Sequence, residues 1–179
     1  DKNGKSFLYR RNLYLERIEP FFQKPVIKII SGMRRVGKSV LLHQIADELV
    51  ELGLTQDRIY FVDKESLEFE HIATHLDLAR EVKKYFGTKK GNKCLFVDEV
   101  QEIQDWEKAI VSLAKNSDLD IYLSGSNAHM LSSDLATLLS GRYVEFPVYP
   151  LGFDEFLEFR KAKPEDKKKE FGNYLQYGG

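Results

Sequence analysis

Apolar residues follow two alternating patterns along this chain. In five places a short apolar run ends at polar residues, a pattern typical of a strand buried in a sheet. These runs are residues 26–30, 58–63, 93–97, 119–123 and 143–148. Between them, apolar residues recur every three or four positions, which predicts amphipathic helices. The alternation predicts a single α/β domain.

The predicted helices are recognised by their apolar faces. One helix follows the first strand, one follows the second, and one follows the third. A shorter apolar repeat at 131–139 comes after the fourth strand. The three longer faces are, in chain order, Leu41, Ile45, Leu49 and Leu52; Ile72, Leu76, Ala79, Val82 and Phe86; and Ile103, Trp106, Ile110 and Leu113.

The apolar patterns at both ends of the chain predict helices that lie outside the sheet. From Phe7 to Phe22, aromatic and aliphatic residues share one helical face, so this helix is expected to pack on the core. Residues 153–159 begin a second helical segment. We therefore divide the chain into an N-terminal helix at 1–24, a core at 25–150 and a helical tail at 151–179.

The first strand leads into a phosphate-binding pattern. Gly32 to Ser39 reads G-x-x-x-x-G-K-[ST] and lies between a strand and a helix, as such a loop requires. Gly32 and Gly37 can adopt backbone angles closed to other residues, so that the loop amides can point at a phosphate. Lys38 would contact the β and γ phosphates, and the Ser39 hydroxyl would ligate Mg²⁺. The alternative is a glycine-containing turn with a solvated lysine.

The whole loop is expected to contact the nucleotide. The expected cofactor-binding residues in it are Gly32, Arg34, Arg35, Val36, Gly37, Lys38, Ser39 and Val40. The N-terminal helix could also bring Tyr9 or Tyr14 to an adenine base, although ordinary packing is the favoured interpretation of both rings.

The third strand ends in two adjacent carboxylates, Asp98 and Glu99. Because an unpaired charge is costly to bury, they are expected at the carboxyl end of the strand, where ligands bind in open parallel sheets. Asp98 would hold Mg²⁺ opposite Ser39, and Glu99 would polarise a water for attack on the γ phosphate. The alternative is a charged loop after a strand.

Two later features leave two interpretations open. Ser124 to Asn127 forms a polar cluster at the tip of the fourth strand, where Ser126 or Asn127 could bond the attacking water or the γ phosphate, or cap a helix. Arg142 follows a predicted helix and could stabilise charge on the transferred phosphate, in its own site or a neighbour's, or be an ordinary surface arginine.

Composition restricts the remaining classes of function. The 179 residues carry a formal net charge of -1, so bulk charge does not indicate nucleic-acid binding. The lysine-rich stretch 161–169 contains acidic residues too and is most simply a solvated helix, with nucleic-acid contact as the alternative.

Cys94 is the only cysteine, and its apolar surroundings predict a buried side chain. No apolar run reaches the roughly 20 residues that span a bilayer, so we expect no membrane partner and a cytoplasmic location.

Taken together, these motifs resemble the ATPase core of the AAA+ superfamily of P-loop NTPases. Within it they resemble a prokaryotic family akin to the archaeal-type ATPases. The resemblance extends over nearly the whole chain from Leu13. The residues that carry it are 31–39, 96–101, 124–127, 139–143 and 150–156.

The resemblance implies a three-layer α/β/α sandwich with a central parallel sheet, in which the strand ending at Ser124 lies between the phosphate-loop strand and the Asp98 strand. It implies Lys38, Glu99, Asn127 and Arg142 as catalytic residues, Ser126 as a nucleotide contact, and Ser39 and Asp98 as metal ligands. Family members usually continue into a C-terminal domain, to which the tail would lead.

The expected function is binding of ATP with Mg²⁺ and its hydrolysis to ADP and phosphate, driving conformational change in attached domains or partners. ATP rather than GTP follows from the resemblance alone. One rival is a nucleotide-gated binding module, with DNA or a protein as partner and little turnover; another is a P-loop nucleotide kinase. The sequence leaves a homo-oligomer open.

Overall fold

The sheet contains the five predicted strands, and all of them are parallel. Their order is β2-β3-β4-β1-β5 in the computed structural model, which describes residues 9–126, 137, 139 and 141–177. Because β4 lies between β1 and β3, the strand order implied by the resemblance is confirmed. The strands are β1 (Ile27–Ser31), β2 (Ile59–Asp63), β3 (Lys93–Asp98), β4 (Leu119–Gly125) and β5 (Tyr143–Pro147).

Helices cover both faces of the sheet, which gives the three layers expected. One hydrophobic cluster joins α1 and α2 to one face, and a second joins α3 and α4 to the other. No helix within the described ranges is long and apolar enough to span a bilayer. The helices are α1 (Asn12–Ile18), α2 (Lys38–Glu51), α3 (His75–Phe86), α4 (Trp106–Leu113), α5 (Phe153–Phe159) and α6 (Lys167–Tyr177).

Helix α3 differs from its prediction in where it begins. Thr74 and Asp77 form a capping box, which starts the helix at His75. The buried face consists of Leu78, Val82 and Phe86, which recur every fourth position, so Leu78 rather than Leu76 faces the core: Leu76 is 61% exposed and Leu78 is fully buried.

The N-terminal helix is also shorter than predicted, whereas the helix predicted at 153–159 is confirmed. The N-terminal helix covers Asn12–Ile18 and continues as a 3₁₀ turn, Glu19–Phe21, whose second residue is Pro20. Phe7 and most of the helix predicted at 131–139 lie outside the described residues. In the tail, α5 and α6 pack through aromatic rings, with centroids 5.1 Å apart between Phe153 and Phe171.

A buried ion pair joins β1 to β4 near the edge of the sheet where the strands begin, here called the amino edge. The Lys28 ammonium lies against the Asp120 carboxylate and donates to the Lys24 carbonyl at 2.8 Å. Asp120 also accepts from the Tyr122 hydroxyl and from the Gln23 amide, both at 2.8 Å. The pair therefore fixes the turn before β1 to the neighbouring strand.

Burial opposes the charge on both partners. Loss of solvent lowers the pKa of Lys28 and raises the pKa of Asp120, while their mutual attraction acts in the opposite direction on each. Each charge is thus tolerated only because the other is present.

We predict that Asp120→Asn lowers the free energy of unfolding by roughly 3–5 kcal/mol, because it leaves a buried ammonium without its counter-charge. Urea denaturation measures this change. The matched control is Asp118→Asn, which alters an exposed carboxyl group two residues away. Equal stability of the two variants would contradict the prediction.

Candidate functional site

The phosphate-binding pattern forms a loop between β1 and α2 at the carboxyl edge of the sheet, where the strands end. Gly37 is the N-cap of α2 and has a φ of 95°, a left-handed conformation that favours glycine. The first amides of α2, from Lys38 onward, lack partners within the helix and can serve an anion. The sequence pattern has therefore folded as its motif requires.

Gly32 is required by packing at the start of the loop. A Cβ atom at this position would lie 2.5 Å from the carbonyl oxygen of Val148. The Val148 amide donates to the Ser31 carbonyl at 2.7 Å, so the segment after β5 lies directly against the loop. Only a residue without a side chain permits this approach.

Lys38 connects the loop to the Asp98-Glu99 pair. Its side chain is 3% exposed, and its Nζ donates to the Met33 carbonyl at 3.1 Å. The same Nζ lies 3.2 Å from Oε1 of Glu99. Two motifs that are 61 positions apart by residue number (99 − 38) therefore meet in one ion pair.

Asp98 and Glu99 lie at the carboxyl edge as predicted, but they are more buried than their charges suggested. Asp98 is 2% exposed and Glu99 is 6% exposed. Ser124, at the end of β4, bonds both residues: its hydroxyl donates to Oδ1 of Asp98 and accepts from the Glu99 amide at 3.0 Å. Ser124 thus serves both acidic residues, a role that the sequence analysis missed.

The backbone of Glu99 is strained. Its φ and ψ are both 52°, a left-handed conformation that is uncommon for a residue with a long side chain. The strain turns the chain sharply at the end of β3, and Gln101 then donates from Nε2 to Oε2 of Glu99. Both carboxylate oxygens of Glu99 are therefore engaged, one by Lys38 and one by Gln101.

These residues line a cleft of about 490 Å³. It brings together most of the predicted loop contacts and adds Glu65, an exposed residue after β2 that the sequence analysis did not single out. The lining residues are Arg34, Arg35, Gly37, Lys38, Ser39, Val40, Glu65 and Glu99. The side facing the loop is cationic, and Glu65 and Glu99 are the acidic lining groups.

A second pocket of about 180 Å³ adjoins this cleft and shares Arg35, Gly37 and Val40 with it. The pocket is mostly apolar. Its remaining lining comes from the N-terminal segment, the loop and the start of the tail: Tyr9, Arg11, Val36, Pro150, Leu151 and Phe159. Tyr9 lines this pocket, whereas Tyr14 is buried in the core.

The remaining predicted residues lie in three different places. Ser126 follows Gly125, which pairs with Ser31 at the carboxyl edge. Asn127 lies outside the described residues. Arg142 lies at the amino edge, where its carbonyl accepts from the Ile27 amide at 3.0 Å. The length of β1, about 13 Å at 3.3 Å per residue, separates the Arg142 backbone from the loop, so the structure does not bring Arg142 to its own cleft.

The cleft offers oxygen donors that suit Mg²⁺. Ser39 supplies a hydroxyl in the cleft, and the Asp98 carboxylate lies at the end of β3, where it is 2% exposed and does not line the cleft. Within the described residues no group of three or more His, Cys, Asp or Glu could hold a metal by itself. Mg²⁺ is usually held by one or two protein ligands together with phosphate and water, and a hydroxyl and a carboxylate are oxygen ligands of the kind it takes.

Relatives of this chain occur in a bacterium and an archaeon. A protein of Haemophilus influenzae is 37% identical over 178 residues, which is 98% of this chain and 44% of that protein. A protein of Methanocaldococcus jannaschii is 35% identical over 162 residues, 86% of this chain and 35% of that protein. The chain spans less than half the length of these curated relatives.

Solved structures share its fold. The DNA polymerase III gamma subunit-related protein of Thermotoga maritima matches with a TM-score of 0.58 and 12% identity, over 89% of this chain and 57% of that one. The ORC1 protein of Aeropyrum pernix, solved in complex with DNA, matches with a TM-score of 0.58 and 13% identity, over 91% and 50%.

A family model described as an AAA domain matches residues 24–157, which is most of the chain. The match includes the loop, the two carboxylates and all five strands. The chain therefore belongs to the AAA domain family and has the core fold of an AAA+ P-loop ATPase.

Proposed function

We propose that this chain binds ATP with Mg²⁺ and hydrolyses it to ADP and phosphate, driving conformational change in attached domains or partners. One observation carries the proposal: the Lys38 ammonium lies 3.2 Å from the Glu99 carboxylate. A phosphate-binding lysine and a carboxylate able to accept a proton therefore face the same small volume. Membership of the AAA domain family supports ATP as the nucleotide.

The triphosphate would bind at the start of α2. The free amides of Gly37, Lys38 and Ser39 and the positive end of the helix dipole favour an anion there. Lys38 would leave the Met33 carbonyl and Glu99 for the β and γ phosphates. Arg34 and Arg35 add positive charge to the same side of the cleft.

Ser39 and Asp98 would hold Mg²⁺, the serine directly and the aspartate through water. Bound there, the ion would neutralise charge on the β and γ phosphates. The Ser124 hydroxyl keeps Asp98 oriented, since it donates to one carboxylate oxygen and leaves the other available.

Glu99 would accept a proton from the attacking water. The departure of Lys38 toward the phosphates frees Oε1 of Glu99, while Gln101 retains Oε2. The water oxygen then bonds to the γ phosphorus as the bond to ADP breaks, and the proton passes to Glu99. Ser126 and Asn127 remain the proposed contacts to the γ phosphate or the water.

The second pocket would take the adenine base. It is apolar, adjoins the phosphate cleft and has aromatic rings from Tyr9 and Phe159, whose centroids are 6.5 Å apart. Val40 and Leu151 supply aliphatic walls. A flat base between such groups gains from apolar burial and ring contact.

A low-turnover variant of this function is the second candidate. In it, nucleotide binding would gate contact with DNA or a protein, with hydrolysis negligible. The engagement of both Glu99 oxygens favours it, because a carboxylate held by Lys38 and Gln101 is a poor base until it is released. Steady-state phosphate release, with and without DNA, distinguishes the two candidates.

Arg142 is proposed to act on a neighbouring copy. It is exposed at the amino edge, and therefore faces away from its own cleft. An arginine supplied by a second subunit can stabilise charge on the transferred phosphate. A homo-oligomer of this chain is the assembly that such a role would require.

We predict that Glu99→Gln retains ATP binding and lowers hydrolysis by about 10²–10⁴-fold, because the amide cannot accept the proton from water. Fluorescent-nucleotide titration and phosphate release measure the two effects. Lys38→Ala is the companion variant and should lose binding itself. Unchanged phosphate transfer from ATP to a nucleoside monophosphate by Glu99→Gln would instead identify a nucleotide kinase.

We predict that Arg142→Ala lowers turnover by at least about tenfold without weakening ATP binding. Mixing it with Lys38→Ala should restore phosphate release, since one variant supplies the cleft and the other supplies the arginine. Arg80→Ala, which alters an arginine with a 71% exposed side chain on α3, is the control. Parental turnover by Arg142→Ala alone would refute a role for this residue.

A further inference from the structure

Arg11 is a buried arginine that lines the second pocket, but the ATPase reaction does not explain its contacts to the tail. It is 3% exposed, although it lies just before a surface helix. Its guanidinium lies 4.4 Å from the centre of the Tyr14 ring, and its donors contact three separate segments of the chain. Buried charges are costly unless they are fully paired, so such an arrangement calls for a reason.

One of these contacts is to the phosphate loop. Nη1 of Arg11 donates to the Val36 carbonyl at 3.0 Å. In a trans peptide the carbonyl and the following N–H point in opposite directions, and the described residues contain no cis peptide bond. Arg11 therefore fixes the Gly37 N–H on the side away from itself, and Gly37 lines the phosphate cleft.

The other contacts are to the start of the tail. Arg11 donates to Glu155 of α5 through Nε at 3.2 Å and Nη2 at 3.1 Å, a two-pronged pairing with one carboxylate. Nη1 also donates to the Tyr149 carbonyl at 3.0 Å. The same side chain thus holds the loop on one side and α5 on the other.

A neighbouring contact reinforces the link to α5. The Tyr9 hydroxyl donates to Oε2 of Glu158 at 2.7 Å. Burial, followed by this hydrogen bond, raises the pKa of Tyr9 to about 12, so the hydroxyl remains a donor throughout the physiological range. The N-terminal segment is therefore joined to α5 at two places, one turn apart.

Helix α6 is joined to α5 and to the segment that precedes it. Tyr174 of α6 donates to the Leu151 carbonyl at 3.0 Å, and its ring lies 5.4 Å from that of Phe156. Arg160 pairs with Glu170 at 3.1 Å. Displacement of α5 would thus displace α6.

We propose that Arg11 is a positioning residue that couples nucleotide in the cleft to the placement of α5 and α6. The inference rests on the proposed function and specifies how binding reaches the tail. Nucleotide stabilises the loop arrangement in which Arg11 holds Val36, and the paired Glu155 then holds α5 in the same arrangement. Bound nucleotide and the packed position of α5 and α6 therefore stabilise the same conformation. The two sites are then linked by a coupling free energy.

Trypsin cleavage of the tail tests the coupling. The chain offers exposed cleavage sites in the tail at Arg160, Lys161, Lys167, Lys168 and Lys169. We expect ATP with Mg²⁺ to slow cleavage there by about fivefold or more in the parent chain, since the ligand stabilises the arrangement in which Arg11 pairs with Glu155 of α5. Mass spectrometry identifies the cleaved bonds.

Glu155→Gln tests the ion pair between Arg11 and α5 separately from the contact between Arg11 and the phosphate loop. This variant keeps the contacts to Val36 and Tyr149 and removes the charge on the α5 side. We expect its ATP affinity to stay within about threefold of the parent and its nucleotide-dependent protection to be lost. Arg10→Gln, which alters the adjacent arginine paired with Glu48 on α2, is the matched control and should keep both properties.

A second variant covers the case in which Glu155→Gln fails to fold. Arg11→Lys keeps the positive charge but cannot contact Val36, Tyr149 and Glu155 at once. It should weaken ATP binding by about tenfold and lose the protection. Circular dichroism and thermal melting establish that each variant is folded.

The outcomes distinguish this inference from the proposed function. A parent chain that does not bind ATP overturns both. A parent that binds ATP without protection of its tail, or a folded Glu155→Gln protein protected as strongly as the parent, overturns the coupling alone. Retained protection in a folded Arg11→Lys protein does the same.

Discussion

The site depends on the contact between the Lys38 ammonium and the Glu99 carboxylate. Lysine begins a helix, and glutamate follows a strand that is not adjacent to the strand before that helix, because β4 lies between them. The two side chains meet only because all three strands are parallel and end at the same edge. Ser124 at the tip of β4 fills the intervening position and bonds Asp98 and Glu99, so the strand between the motifs becomes part of the site.

The local parts of this site were predictable from sequence. Gly32, Gly37 and Lys38 occur at a fixed spacing whose backbone requirements are the same in any fold, and Asp98-Glu99 follows an unbroken apolar run. Leu76 shows the limit for secondary structure. The predicted face included Leu76, whereas the residues that the structure buries, Leu78, Val82 and Phe86, recur every fourth position and leave Leu76 exposed.

The non-local parts were not predictable in this way. Ser124 and Arg11 act through partners 26 and 144 residues away, Asp98 and Glu155, and nothing in their immediate sequence distinguishes them from a strand-end serine and a surface arginine. Arg142 shows how strand direction narrows a prediction that residue type leaves open. Its position before β5 places it at the amino edge of a parallel sheet, so strand direction rather than residue type decides which site it can reach. Asn127 stays a prediction.

The position of strand β5 has a consequence for how a displacement could pass through the molecule. It begins next to Arg142, at the surface proposed to meet a second copy. The chain then passes Val148, whose carbonyl oxygen lies against Gly32, and reaches the apolar pocket at Pro150. A single strand of five residues thus joins that surface to the phosphate loop. In a homo-oligomer formed through this surface, docking of a second copy that displaced β5 would move the Val148 carbonyl against the loop.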